Sequence, residues 1–183
     1  NFPNLLAGNY SVVVTDANGC TISVSASVSN TSAPIINAVA QTNNNCFNSN
    51  NGTISINANG GTGALQYSIN NGAAYQAGSN FSNLAAGTYS IVVTDNLGCQ
   101  ATSSITITEP PILSATNTAG AIACNGGITT IIVTGTGGTA PYIGTGSFTI
   151  AAGTYSYTVT DANGCSATTN ATITQPTLLT ASS

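Results

Sequence analysis

Lysine, arginine and histidine are absent from this chain of 183 residues, and so are methionine and tryptophan. Its charge rests on four side-chain carboxylates, Asp16, Asp95, Asp161 and Glu109. A surface without cations cannot neutralise phosphates, which excludes nucleic acid as a partner. Attraction to an anionic membrane surface fails for the same reason. A nucleophile of the triad type needs a neighbouring base, normally His and sometimes Lys, and the chain supplies neither. Glycoside hydrolysis needs two carboxylates within several ångströms, whereas the three Asp occupy equivalent turns of a repeated phrase and Glu109 stands at a junction. No enzyme activity, catalytic residue or cofactor is therefore expected. An apolar run long enough to cross a membrane as a helix is also missing. There is no initiator Met and no signal peptide, so the chain reads as a piece of something larger, its targeting signals lying elsewhere or removed.

Cysteine is present five times, but without a Cys-x-x-Cys pair or any histidine, so no metal site is expected. The "DANG" segments place Asp and Asn oxygens at alternate positions. A calcium loop, however, needs several acidic ligands and a closing bidentate Glu, and here Cys follows Gly. A hairpin turn is the better reading.

What the chain does contain is a phrase written three times: "AGNYSVVVTDANGC" from Ala7, "AGTYSIVVTDNLGC" from Ala86 and "AGTYSYTVTDANGC" from Ala152. Intervals of roughly 80 and 65 residues are too long for a solenoid turn and suit small domains with cores of their own. At 42% apolar residues in alternating order the chain is not a disordered polar tract. "YSIVVTD" and "YSYTVTD" alternate as half-buried strands do, and "ATSSITITEP" and "ATTNATITQP" alternate again after each cysteine. Between them Asp can bond its own backbone and Gly can take a positive φ, which predicts a hairpin with structural turns at Asp16 and Gly19, Asp95 and Gly98, and Asp161 and Gly164. Upstream, "GTISINANGG" and "ITTIIVTGTGG" read as strands, and "ALQYSIN" and "APYIGTG" as further short ones. Many short strands, Gly-rich turns and no helical period predict an all-β sandwich.

Tyr10, Tyr89 and Tyr155 each follow a Gly by two residues where a strand begins, the setting of a tyrosine corner whose hydroxyl bonds nearby backbone. Pro34, the pair Pro110 and Pro111, and Pro176 are expected to close the last strand of each repeat and stiffen the junction. The boundaries that follow are 1–33 for the closing hairpin of an incomplete repeat, 34–110 and 111–177 for complete ones, and 178–183 for the start of another strand or repeat.

Cys46 precedes the second phrase and Cys99 closes it, and Cys124 and Cys165 do the same in the third. This order predicts disulfides Cys46–Cys99 and Cys124–Cys165, worth roughly 4 kcal/mol each at most by loop-closure entropy, with Cys20 left unpaired. Buried free thiols are the alternative. Paired cysteines would place the chain in an oxidising, extracellular setting.

"LAAGTYSIVVTDNLGCQATSSITITEP" and its two relatives resemble the SprB-type repeat of gliding-motility and other cell-surface adhesins of the Bacteroidetes, and more loosely PKD and other immunoglobulin-like modules. The resemblance rests on "AGxYS", "VTDxxGC" and the closing "TITEP" or "TITQP", with an upstream cysteine in "NNNCFNSNNGTISI" and "IACNGGITTIIV". The second repeat departs from the pattern in having Phe47 and Asn48, not Asn-Gly, after its cysteine. The resemblance implies tandem immunoglobulin-like β-sandwich domains in a long secreted protein of the bacterial surface.

Two functions fit. The first is a structural shaft of an extracellular adhesin or filament, stapled by disulfides. Its partners would be neighbouring repeats of one polypeptide, or identical subunits that complete the orphan hairpin by strand complementation in a head-to-tail fibre. The second is a binding module for surface glycans or proteins, with Phe47, Tyr67, Tyr75 and Tyr142 as stacking candidates outside the hairpin phrase. Asn9, Asn30, Asn51, Asn80 and Asn170 each begin an acceptor triplet for N-linked sugar, although a chain so rich in Asn and Thr generates several by chance. A sugar coat would keep so uncharged a surface soluble.

Overall fold

The computed structural model describes residues 2–181, and among these the regular structure is entirely β. In chain order the strands are β1 (Gly8–Thr15), β2 (Thr21–Val28), β3 (Pro34–Thr42), β4 (Gly52–Gly60), β5 (Gln66–Ser68), β6 (Asn80–Leu84) and β7 (Gly87–Thr94). Then come β8 (Gln100–Ile107), β9 (Ser114–Ala119), β10 (Thr129–Thr136), β11 (Gly146–Ile150), β12 (Gly153–Thr160) and β13 (Ser166–Ile173). They form small sheets in the orders β1-β2, β3-β4-β6, β5-β7-β8, β9-β10-β11 and β12-β13. Small antiparallel sheets of this kind are those of an immunoglobulin-like β-sandwich. The chain divides into two compact units: Asn1–Val39, Ile56–Ser79 and Ser90–Ser103 make the first, and Ala40–Ser55, Asn80–Tyr89 and Ser104–Ser183 the second. Strands β3, β4, β7 and β8 contribute residues to both.

In the first unit β1 pairs with β2 from Gly8↔Val28 to Thr15↔Thr21, and β5 pairs with β7 through Tyr67↔Val93. Ile91, Val92 and Val93 are buried in succession, as in a strand covered on both faces. Burying each such side chain is worth roughly 1.5–3 kcal/mol. The β1 phrase is a near copy, yet Val13 and Val14 are 57% and 60% exposed where Val92 and Val93 are 4% and 0%. The first hairpin thus carries the side chains of a core without the strands that would bury them.

In the second unit β10 pairs with β9 and β11, and β12 with β13. Alternation decides which side chains go inside: Ile131 and Val133 are buried while Ile132 between them is 49% exposed. Ile131 joins Ile122, Ile150, Ala171 and Ile173 in one cluster, with Tyr155 and Tyr157 packed against it. The Tyr157 ring lies 5.1 Å from that of Phe148, within the range of favourable aromatic pairs.

Three local expectations are corrected. Pro34 does not end a strand but opens β3 as its first residue, a position where the missing N–H costs no ladder bond. "APYIGTG" makes only the bridge Ile143↔Thr160, because Pro141 has no N–H to donate and Gly144 turns the backbone at φ 86°. Residues 178–181 form no strand, and residues 182 and 183 of that expected element lie outside the described residues.

Candidate functional site

Each repeat of the phrase ends in the same turn. Asp161 Oδ1 accepts the backbone N–H groups of Asn163 and Cys165, both at 2.9 Å, while the Gly164 N–H donates to the Asp161 carbonyl. Asp95 holds Leu97 and Cys99 at the same distances, and Asp16 holds Asn18 and Cys20. Gly19, Gly98 and Gly164 sit at φ 86°, 83° and 84°, where a side chain would be strained. In the second and third copies of the phrase the second carboxylate oxygen ties the turn to the loop after an earlier strand. Asp95 Oδ2 accepts the Thr62 N–H at 2.8 Å, and Asp161 Oδ2 accepts that of Thr139 at 2.9 Å.

The Thr62 amide is the strongest influence holding the Asp95 carboxyl below the usual carboxylate value. Burial opposes it, and the amides of Cys99, Leu97 and Gly98 add to it. Burial pushes the Asp161 carboxyl up, but the amides of Thr139, Cys165, Asn163 and Gly164 together outweigh that, so it too is lowered.

These turns present the cysteines, and the pairing differs from the expected one. Cys46 is bonded to Cys165, with a Cα–Cα distance of 5.8 Å, while Cys20, Cys99 and Cys124 are free. The expected links Cys46–Cys99 and Cys124–Cys165 are replaced by one that joins the second repeat to the third. The reason is strand length. Cys124 precedes β10, whereas Cys165 belongs to the turn that Asp161 ties to Thr139, beyond the far end of β10. Eight residues at about 3.3 Å each separate those two levels, far beyond the reach of a disulfide. Cys46 and Cys99 have the same order, one before β4 and the other in the turn tied to Thr62 after it.

The bonded pair is framed by polar and apolar contacts within the second unit. Asn163 Nδ2 donates to the Asn45 carbonyl at 2.9 Å and to Thr139 Oγ1 at 3.0 Å. The Asn48 N–H donates to Glu109 Oε2 at 2.7 Å, fixing the loop that carries Cys46. Phe47, Ile112 and Leu113 line a groove of about 630 Å³ against the turn at Gly164 and Cys165. The side chains of Asn163, Glu109 and Ile112 had no assigned part in the sequence reading; the only signal for them was that they flank repeated landmarks.

Tyr10, Tyr89 and Tyr155 donate their hydroxyls to the carbonyls of Leu6, Ala85 and Ala151, each four residues back, at 2.6, 2.9 and 3.1 Å. Of the stacking candidates, Tyr142 is half-buried and donates to the Gly137 carbonyl. Tyr75 accepts from Gln100 Nε2, Tyr67 lies half-buried in β5, and Phe47 is exposed at the groove. Asn9, Asn30, Asn51, Asn80 and Asn170 are all exposed, and Asn51 also accepts from the Asn45 N–H at 3.1 Å.

The family model of the SprB repeat matches residues 38–74, a stretch that contains Cys46 and β4. Such repeats occur in cell-surface proteins of the Bacteroidetes and form a structural repeat family. No curated protein matches the chain.

Proposed function

Taking residues 38–74 as a SprB repeat, we propose that the chain is part of the mechanical shaft of an extracellular bacterial surface adhesin or filament, and that it has no catalytic role. The observation that carries this reading is the bond Cys46–Cys165, which spans a sequence separation of 119. Tension entering at one end of the chain and leaving at the other passes from Cys46 directly to Cys165, so the strands between them lie off the load path. The shaft is then protected by a covalent bypass where the sequence suggested a clamp inside each domain. Most of the segments 34–110 and 111–177 lies inside the loop that this staple closes.

The partners in this reading are further repeats. The exposed apolar face of β1 and β2, with Val14, Ile22 and Val24, favours cover by strands of a preceding repeat or of an identical subunit. The absence of cations and the exposed acceptor asparagines suit a sugar-coated surface without tryptic sites. Recognition of glycans remains the second reading, and only the exposure of Phe47 and Tyr75 favours it.

Single-molecule stretching from the two ends tests the bypass. The oxidised chain should extend about 40 nm less than the reduced one, at about 3.4 Å per withheld residue. Equal contour lengths before and after reduction would show that the staple does not carry the tension.

A further inference from the structure

The groove that receives the Cys165 turn is built a second time at the end of the third repeat. There Cys124 stands between Ala123 and Asn125, opposite Leu178 and Leu179, in a groove of about 400 Å³. The supporting contact is reproduced as well. Where the Asn48 N–H donates to Glu109 ahead of Pro110, the Gly126 N–H donates to Gln175 Oε1 at 2.8 Å ahead of Pro176. Ile112 and Leu113 in the occupied groove correspond to Leu178 and Leu179, and Leu179 is 95% exposed. Its cysteine is free and exposed.

The structure also offers the matching half. Asp16–Cys20 has the same five residues, Asp-Ala-Asn-Gly-Cys, as Asp161–Cys165, and the same pair of 2.9 Å bonds to its carboxylate. Cys20 is exposed. Asn18 stands where Asn163 reaches the carbonyl of the residue before the partner cysteine, and in the second groove that carbonyl belongs to Ala123. The third turn, ending at Cys99, has Leu97 at this position and lacks the amide.

We propose that Cys124 is the receptor of a second staple, and that its occupant is the Asp16–Cys20 turn of a second copy of this chain, giving head-to-tail Cys20–Cys124 links. Two thiols give up their protons, one S–S bond forms, and the two electrons reduce a low-molecular-weight disulfide to two thiols. The inference extends the reading of the chain as a shaft, because it makes the staple a repeating device. Its test is independent of that reading, since the internal Cys46–Cys165 bond is mapped in the same experiment.

The whole chain, concentrated and incubated with glutathione disulfide, should give a ladder of covalent multimers on a non-reducing gel. Mass spectrometry of peptic fragments should find Cys20 joined to Cys124. Cys20→Ser and Cys124→Ser should each remain monomeric alone and form dimers, and nothing larger, when mixed. Cys99→Ser should leave the ladder intact, and Asn18→Ala should slow it about fivefold, the effect of one hydrogen bond. Monomers carrying only glutathione adducts, or links that use Cys99 or join Cys20 to Cys20 as readily, would overturn the proposal. Both serine variants alter exposed side chains, and an unchanged Cys46–Cys165 bond in each verifies that the chain has folded.

Discussion

Asn44 occupies in the second repeat the place that Ile122 holds in the third, two residues before a cysteine. Both are buried, but neither end of the Asn44 amide has a hydrogen-bond partner, whereas Ile122 belongs to the core cluster. A buried polar group without a partner costs about 1–3 kcal/mol, so Asn44→Leu, which keeps the shape and removes the polarity, should raise stability by about 1–2 kcal/mol. Urea unfolding followed by tyrosine fluorescence measures this, and a loss of stability would mean that the amide is satisfied in solution. The turn carboxylates act in the opposite direction. Asp95 and Asp161 are lowered from the ordinary value of 3.8, so their contribution is fully present above that pH and is lost as the pH falls through their folded values. Unfolding midpoints should therefore hold from neutral pH to about 4 and fall below it. In Asp161→Asn, one acceptor oxygen must serve where two serve now, so the variant should be weaker at neutral pH and lose less on acidification. An identical acid profile would show that Asp161 plays no part in it.

At the scale of elements, the hairpins were legible because everything that fixes them is local. Asp16, Asp95 and Asp161 bond amides two and four residues away, and the tyrosines bond carbonyls four residues back. Alternation in "TTIIVTGT" likewise shows which side of β10 is inside. The strands β6 and β11 are five residues each, too short for their alternation to stand out. The disulfide was not legible, because a cysteine's position in its repeat does not say which end of a strand it occupies in space. The local devices can be tested singly. Tyr155→Phe removes the bond to Ala151 and keeps the packed ring, and should cost about 1 kcal/mol. Tyr157→Phe is the comparison, since its ring also packs against the core. Equal losses from the two changes would show that the corner bond adds nothing beyond ring packing.

At the scale of the molecule, one covalent bond ties Cys46 to Cys165 in the unfolded chain as well as the folded one. Linking residues 119 apart restricts the denatured ensemble by only about 1 kcal/mol more than either expected pairing would, because closure entropy grows slowly with loop length. Loop-closure entropy sets an upper figure of about 5 kcal/mol. Cys46→Ala with Cys165→Ala removes both sulfurs and leaves no stray thiol, so the change in urea midpoint reads the staple directly. We expect a loss of about 2–5 kcal/mol, spread over whatever unfolds with the loop. The framing contacts Asn163 to Asn45 and Asn48 to Glu109 survive this double substitution on paper. Asn163→Ala in the oxidised chain should therefore cost far less than removing the bond, and should cost more once the bond is gone, because only then does the junction depend on it. If Asn163→Ala costs the same with and without the disulfide, the polar frame and the covalent link act independently, and the staple works only by restricting the unfolded chain.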